Sequence, residues 1–310
     1  MDISIVISTY NRDYNLPDCL SAFDDQIDLD GVDWEVILVD NNSNDATQTV
    51  VQALIEKVSY RLRYTFEAKQ GLSNARNHGT EIAQGRYIVF TDDDIRVSPG
   101  WIAAYWRGFQ QTKAQVVGGR IHLDPTVPVP TWIEQNPVVK GFIGFQDYGP
   151  EPKALDGHKT YPYGGNMGFE RDVLINAGGF DPNLGRKGTG TSASELIKGE
   201  ETVLFNTLGD QGCMMWYTPD ALVYHKVHDF QLKRRYFMIV QYNSGKINAA
   251  RDPDRYSRTL FGIPLFIVNQ LLRLLVSYLI QLVSKGPSGA FVQLMKVAYQ
   301  IGRMMGYATK

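Results

Sequence analysis

Apolar residues in the first hundred positions fall into short β-branched runs separated by stretches of helical period. ISIVIST (3–9) and WEVILVD (34–40) are two such runs, and each ends in polar residues that open a loop. Between them, LPDCLSAF (16–23) places apolar residues at helical spacing. NARNHGTEIAQG predicts a helix closed by Gly85 just past its C-cap, and GRYIVFTD (85–92) predicts a third strand. This alternation predicts an α/β, Rossmann-like fold: a mainly parallel central sheet, helices on both faces, and ligands beyond the carboxyl ends of the strands. Asp40 and Asp92 both fall at such ends.

The pattern weakens over 116–163 into segments rich in Pro and Gly, including HLDPTVPVPTW (122–132), which read as loops around a strand or two. GGNMGFERDVLINAGGFD (164–181) predicts a glycine turn leading into a helix that ends at Gly178-Gly179. NLGRKGTGTSASE (183–195) has no apolar periodicity and is expected to be a mobile lid.

Beyond 231 the pattern changes. In LFGIPLFIVNQLLRLLVSYLIQLVSK (260–285) the polar residues Asn269, Arg273, Ser277, Gln281 and Lys285 recur every fourth position, which predicts one polar helix face and one apolar face. After GPSG (286–289), Gln293, Lys296, Gln300 and Arg303 repeat the device. Two amphipathic helices with cationic polar faces fit an interfacial membrane anchor over 260–307, and the alternative is a helical hairpin packed on the protein. A spanning helix is disfavoured, because Arg273 near the bilayer centre costs roughly 2.5–3.5 kcal/mol. The expected organisation is a domain over 1–230, with a nucleotide-binding half to about 115 and an acceptor half to about 230, followed by a basic helical extension over 231–310.

Charge sharpens this division. The 310 residues sum to −2, but residues 1–225 hold 18 Lys+Arg against 30 Asp+Glu, whereas 226–310 hold 13 against 3. A tail about ten charges positive is expected to face an anionic surface. Nucleic acid is not expected there, since KRR (233–235) is short and no aromatic stacking platform accompanies it. Cys19 and Cys213 match neither a disulfide framework nor a zinc spacing, and the opening MDISIVISTYN has no signal-peptide pattern. The expected location is therefore the cytoplasm, peripheral on the inner face of the cell membrane.

The chemistry centres on VFTDDDIRVSPGW (89–101). In an extended segment Asp92 and Asp94 project to one face and Asp93 to the other, so the pair converges on one place. Adjacent carboxylates at a strand end repel unless a cation or strong donors sit between them, and hard oxygen ligands suit Mg²⁺ or Mn²⁺.

VISTYNR (6–12), ILVDNNS (37–43), GLSNARNHG (71–79), the acidic triplet, GGN (164–166), KGEETVLFNTL (198–208) and YTPDALVYH (217–225) occur in one order along the chain. This constellation resembles the family 2 glycosyltransferases of the GT-A fold, which are inverting, metal-dependent enzymes using nucleotide-sugar donors. The likeness covers roughly the first three quarters of the chain. It implies that Thr9, Tyr10 and Arg12 border the nucleotide, and that Asp40 accepts a hydrogen bond from the base. A carboxylate suits the N3–H of uracil or thymine, a donor that cytosine lacks, so a UDP-sugar is favoured.

The resemblance also places Arg76 by the diphosphate or ribose, with Asn77 and Gly71 shaping its loop, and Gly165 and Asn166 on the floor between donor and acceptor. Asp94 is then the direct metal ligand, Asp92 the ribose-side or outer partner, and His225 a third ligand. Asp93 counts with the donor-binding set, in a supporting place where asparagine is best tolerated. Glu201, where the family carries aspartate, is the expected general base, and Glu200 either orients the acceptor or takes that role. Trp101 is expected to be structural.

The expected activity is transfer of one sugar to a saccharide or lipid-linked acceptor in cell-surface glycan synthesis. The alternative is a degenerate nucleotide-sugar-binding protein recruited to membranes by its C-terminal helices. A sugar-nucleotide pyrophosphorylase would carry a Gly-rich basic signature after the first strand, and STYNRDYNLPD lacks one.

Overall fold

The structure, a computed structural model, describes residues 1–189, 192 and 194–310. Two compact units emerge. The first comprises Met1–Pro128, Gly144–Thr189 and Gly199–Val227; the second comprises Val129–Ile143, the described part of 190–198, and His228–Lys310. Two segments N-terminal to 230 thus belong with the C-terminal helices.

In chain order the elements begin with β1 (Ile3–Thr9), α1 (Leu16–Ser21), β2 (Trp34–Asp40), α2 (Thr47–Ile55), β3 (Leu62–Phe66) and α3 (Leu72–Ile82). Next come β4 (Tyr87–Asp92), β5 (Ile95–Val97), α4 (Trp101–Thr112), β6 (Val116–Leu123), α5 (Thr131–Glu134) and α6 (Pro137–Phe142). β7 (Lys153–Leu155), β8 (Met167–Glu170), α7 (Arg171–Asn176), α8 (Glu200–Asp210) and β9 (Met215–His225) complete the first unit. The second unit continues with α9 (Arg234–Arg251), β10 (Thr259–Leu260), β11 (Ile263–Pro264), α10 (Leu265–Gly289) and α11 (Phe291–Ala308).

The first unit is built on a nine-stranded sheet in the order β3-β2-β1-β4-β8-β6-β9-β5, with β7 also on β9. β3, β2, β1 and β4 run parallel, as do β6 and β9, while β8 is antiparallel to both its neighbours. The sheet is mainly parallel in its first half, as expected. β1 and β2 are buried on both faces, which is why their sequences read as continuous apolar runs rather than alternating ones. One apolar layer gathers Leu16, Leu20, Phe23, Trp101 and Tyr105 on one face of the sheet, and a second gathers Phe90, Phe169, Phe180 and Phe205 on the other.

Two expectations change, and a third lies partly outside the described residues. The helix over NARNHGTEIAQG ends at Ala83 in an extended conformation, and Gly85 is not its cap: a Cβ there would overlap the backbone of Ile3 and Ser4. Gly85 lets β1 approach closely. GGNMGFERDV contains strand β8 before its helix, which is why that helix is short. The expected lid over 183–195 includes Gly190, Thr191 and Ala193, which lie outside the described residues. Its start is pinned to α3, where Ser73 Oγ donates to Leu184 O and Leu72 N to Arg186 O.

In the second unit α9 and α11 cross at a seam of glycines. A Cβ on Gly245 would overlap the carbonyl of Tyr299, one on Gly302 that of Tyr242, and one on Gly306 that of Lys246. The expected polar face of α11 is divided: Lys296 is exposed and Arg303 half-buried, whereas Gln293 and Gln300 are buried and donate to Leu274 O and Ile267 O of α10. The fourfold spacing in α10 does not hold one face either. Four residues advance a helix by about 40° beyond a full turn, so the stripe winds from exposed Asn269 and Arg273 to half-buried Ser277 and Gln281. Leu272, Val276, Leu279, Ile280 and Val283 remain exposed on α10, Val283 at 89%.

Candidate active site

Strand register lines up the site. Parallel pairing sets Thr9 beside Asp40 and Ser8 beside Asp92, so the carboxyl ends of β1, β2 and β4 form one rim. Antiparallel β8 starts with Met167 opposite Phe90, which places Gly164, Gly165 and Asn166 just beyond the end of β4. Pairing of β5 with β9 sets His225 against Ile95, next to Asp94. Gly199, at φ 116°, a conformation that disfavours any side chain, begins α8 and presents Glu200 and Glu201 in its first turn.

The three aspartates divide differently from the alternating pattern, because β4 ends at Asp92 and the chain turns through Asp93 and Asp94. Arg12 Nη1 lies 2.7 Å from both Asp93 Oδ1 and Asp94 Oδ2. Asp93 also accepts from Thr9 Oγ1 at 2.7 Å. Asp94 turns its other oxygen to His225 Nε2 at 3.4 Å. Asp92 stands apart, its side chain 33% exposed and 3.5 Å from Arg76 Nη2.

Burial works against the Arg12 charge, yet Asp93 and Asp94 hold its pKa above the usual arginine value. Burial pushes the Asp93 carboxyl above the carboxylate range, against the pull of Arg12, and Asp94 adds to that push. Both Asp93 oxygens are engaged in a buried site.

Arg76 is the largest departure from expectation. Its guanidinium is buried, 2% exposed, and lies 3.2 Å from Glu200 Oε1, 3.4 Å from Glu201 Oε1 and 3.5 Å from Asp92 Oδ1. It also sits over the Phe180 ring at 5.3 Å. Burial opposes the charge, but Asp92, Glu201 and Glu200 outweigh it and hold the pKa high. Three carboxylates thus surround the Arg76 guanidinium.

Gly164 and Gly165 form the floor. A Cβ on Gly164 would overlap Glu201 Oε1 and crowd Arg76, and one on Gly165 would meet Ile95 and Asp92. Asn166 does not join them in facing a ligand. It is fully buried; its Oδ1 accepts from Trp101 Nε1 and Tyr105 OH, both at 2.8 Å, and its Nδ2 donates to Arg120 O at 3.0 Å and Ala221 O at 2.7 Å. Two acceptor sites and two donors exhaust a side-chain amide, so the expected donor contact is corrected to a structural knot joining α4, β6 and β9. Trp101, expected to be structural, is its partner. Asn166→Leu strands several buried polar groups at about 1–3 kcal/mol each. It is expected to lower stability by at least about 3 kcal/mol, read as a fall in denaturant midpoint at unchanged slope.

Asp40 is buried, its carboxylate accepting from Ser43 N and Tyr64 OH, each at 2.9 Å. A carboxylate has about four acceptor sites, so capacity for a base donor remains. Tyr10 is half-buried beside this rim. Two residues outside the expected donor- and acceptor-binding set also shape it. Asn41, just after β2, ties that strand end to the β3–α3 loop through Gly71 N and Lys69 O, and Asn77 clamps Phe180 by bonding both its backbone N and O. Asn immediately after a strand-end Asp is the sequence signal for the first. Tyr163 stands near Glu201; burial pushes its phenol up to about 12, with Tyr148, Tyr161 and Glu201 adding to the effect.

Among the described residues no three His, Cys, Asp or Glu side chains converge as a complete metal cage. The chemistry of the set nevertheless fits a divalent cation. Asp94 and His225 present a hard oxygen and an imidazole 3.4 Å apart, while the other Asp94 oxygen is held by Arg12. Mg²⁺-type sites use one or two carboxylates and take their remaining ligands from substrate phosphates and water.

The profile described as Glycosyl transferase family 2 matches residues 4–178. Glucosyl-dolichyl phosphate glucuronosyltransferase of Haloferax volcanii is 24% identical over 241 residues, 74% of this chain and 71% of that relative. GalNAc(5)-diNAcBac-PP-undecaprenol beta-1,3-glucosyltransferase of Campylobacter jejuni is 31% identical over 118 residues, 37% of each chain. Among solved structures, mannosyltransferase PcManGT from Pyrobaculum calidifontis with GDP-Man and Mn²⁺ superposes at a TM-score of 0.64, 15% identical, covering 97% of this chain and 85% of that one. S. aureus TarS 1–349 with UDP superposes at 0.53, 15% identical, over 96% and 90%. The fold is shared with these enzymes, and the chain belongs to glycosyl transferase family 2.

Proposed function

We propose that this glycosyltransferase moves one sugar from a nucleotide-sugar, a UDP-sugar by preference, to a saccharide or lipid-linked acceptor of a cell-surface glycan, inverting the anomeric centre. The observation carrying this reading is the convergence at one glycine floor of Asp92, at the end of β4, and the Glu200–Glu201 pair of α8. Asp40 and Thr9 border the base and Tyr10 its rim, with Asp40 receiving a ring N–H. Gly165 lets the donor approach the end of β4. Glu201, the more exposed of its pair at 27% against 6%, takes the acceptor proton as the new bond forms. When bound by Asp94 and His225, with Asp92 alongside, Mn²⁺ or Mg²⁺ supplies Lewis-acid stabilisation of the leaving nucleoside diphosphate. The names of the two relatives, dolichyl phosphate and undecaprenol among them, support a lipid-linked acceptor, and UDP in the TarS complex supports the donor class. A panel of UDP-, GDP- and dTDP-sugars, read by nucleoside diphosphate release with Mn²⁺ or Mg²⁺, tests this. Strongest turnover is expected with a UDP-sugar, and release that never exceeds the metal-free blank would defeat it.

The exposed apolar ridge of α10 supports a second element, peripheral contact with lipid. An 18-residue stretch of α10 has a mean hydropathy of 1.7, and bonds from Gln293 and Gln300 of α11 meet α10 on its inner side. With a tail about ten charges positive, an anionic leaflet is the expected partner. Val276→Glu combined with Leu279→Glu is expected to abolish co-flotation with vesicles containing phosphatidylserine, and undiminished flotation would refute the contact.

A further inference from the structure

We propose that Arg76 is a positioning residue for the base, one that ties the donor side of the site to Glu201 rather than holding phosphate. The inference rests on the reading of Glu201 as general base. Three observations carry it. The guanidinium is fully enclosed and meets Asp92 at the end of β4 together with Glu200 and Glu201 at the start of α8, elements separated by more than a hundred residues of chain. Three carboxylates around one cation leave the cluster net negative, which repels a diphosphate instead of attracting it. The residue is also fixed from behind: Phe180 underlies the guanidinium, and Asn77, one position along α3, grips the backbone of Phe180 on both sides.

The arrangement performs two tasks. Nη1 serves both Glu200 and Glu201, so the buried carboxylate anchors the cation while the more exposed one is aimed into the site. The adjacent positive charge favours the ionised form of Glu201, the form that accepts a proton. Among the described residues, charged and titratable groups near Glu201 include Glu200 beside it in α8 and Tyr161 and Tyr163 from the loop before β8, with Asp92 sharing Arg76 from the end of β4. Among the described contacts, Arg76 is the cation bonded to Glu201, so its removal is expected to disfavour the ionised form of Glu201. Gly164 completes the device, because any side chain there would intrude on the Arg76–Glu201 contact.

The test compares Arg76→Gln and Arg76→Lys with the unaltered enzyme in nucleoside diphosphate affinity by calorimetry, kcat across pH, and melting temperature. Arg76→Gln is expected to bind the nucleotide within about threefold of the unaltered chain, to lose kcat by about 100-fold, and to move the acidic limb of kcat to higher pH. Arg76→Lys keeps one charge but not the fork, and is expected to recover part of kcat and return the limb towards its original position. It also carries the test if Arg76→Gln fails to fold. Nucleotide affinity falling more than about tenfold with an unmoved acidic limb would overturn the proposal and restore a phosphate-binding role. If Glu201→Gln keeps full turnover, the base reading itself fails and this inference falls with it; if Glu201→Gln is inactive, only the Arg76 variants decide.

Discussion

Glu201→Gln is expected to lower kcat by about 10²–10⁴-fold, the contribution of a positioned general base, while nucleoside diphosphate affinity stays near its original value. Glutamine preserves the shape and the contact with Arg76 but cannot take a proton. The choice between the two neighbouring acids follows from access: an incoming hydroxyl reaches a carboxylate that is 27% exposed more readily than one that is 6% exposed. Glu200→Gln is the contrasting variant. It weakens the anchoring of a buried cation, so its expected signature is a lower melting temperature with a smaller loss of kcat. Equal turnover for Glu201→Gln and the unaltered chain, measured by nucleoside diphosphate release at saturating donor and acceptor, would remove Glu201 from the chemistry.

The second large effect is expected at Asp94. Asp94→Ala should weaken Mn²⁺ binding, followed by electron paramagnetic resonance, and lower turnover by more than about 100-fold, since even residues one layer behind a metal ligand cost about 10–100-fold when removed. The structure adds a control. Arg12 bridges Asp93 and Asp94, and without Asp94 it still has Asp93, so the fold should survive. Asp93→Asn is expected to act the other way, with a stability loss of about 1–3 kcal/mol from a weakened buried acceptor for Thr9 and Arg12 and a milder effect on cation affinity. Mn²⁺ affinity unchanged in Asp94→Ala would exclude the ligand role.

What could be read from the sequence, and what could not, divides along physical lines. β1, β2 and β4 were legible because strands buried on both faces must be continuous β-branched runs. β8 was not, because four residues following a glycine turn carry too short a period to separate from the helix behind them. Membership of the site was expected from strand ends and motif order; Asp92 lies against Gly165 and Glu201 against Gly164, while Asp94 turns to Arg12 and His225. Side-chain direction was another matter. Alternation fails once a strand has ended, so Asp93 and Asp94 share Arg12 where Asp92 and Asp94 were paired on paper. Arg76 and Asn166 sit within donor-site motifs, yet each is satisfied by partners brought from distant segments, which no local window contains.

The glycine seam between α9 and α11 has a consequence for how the second unit endures a change of surroundings. Helices whose backbones touch at Gly245, Gly302 and Gly306 are held by close atomic contact, an attraction that does not require water to be driven out. A pair joined in this way keeps its grip whether its flank is wetted, covered by detergent or sunk among acyl chains. The neighbouring helix can therefore exchange one solvent for another without loosening the support on which it rests.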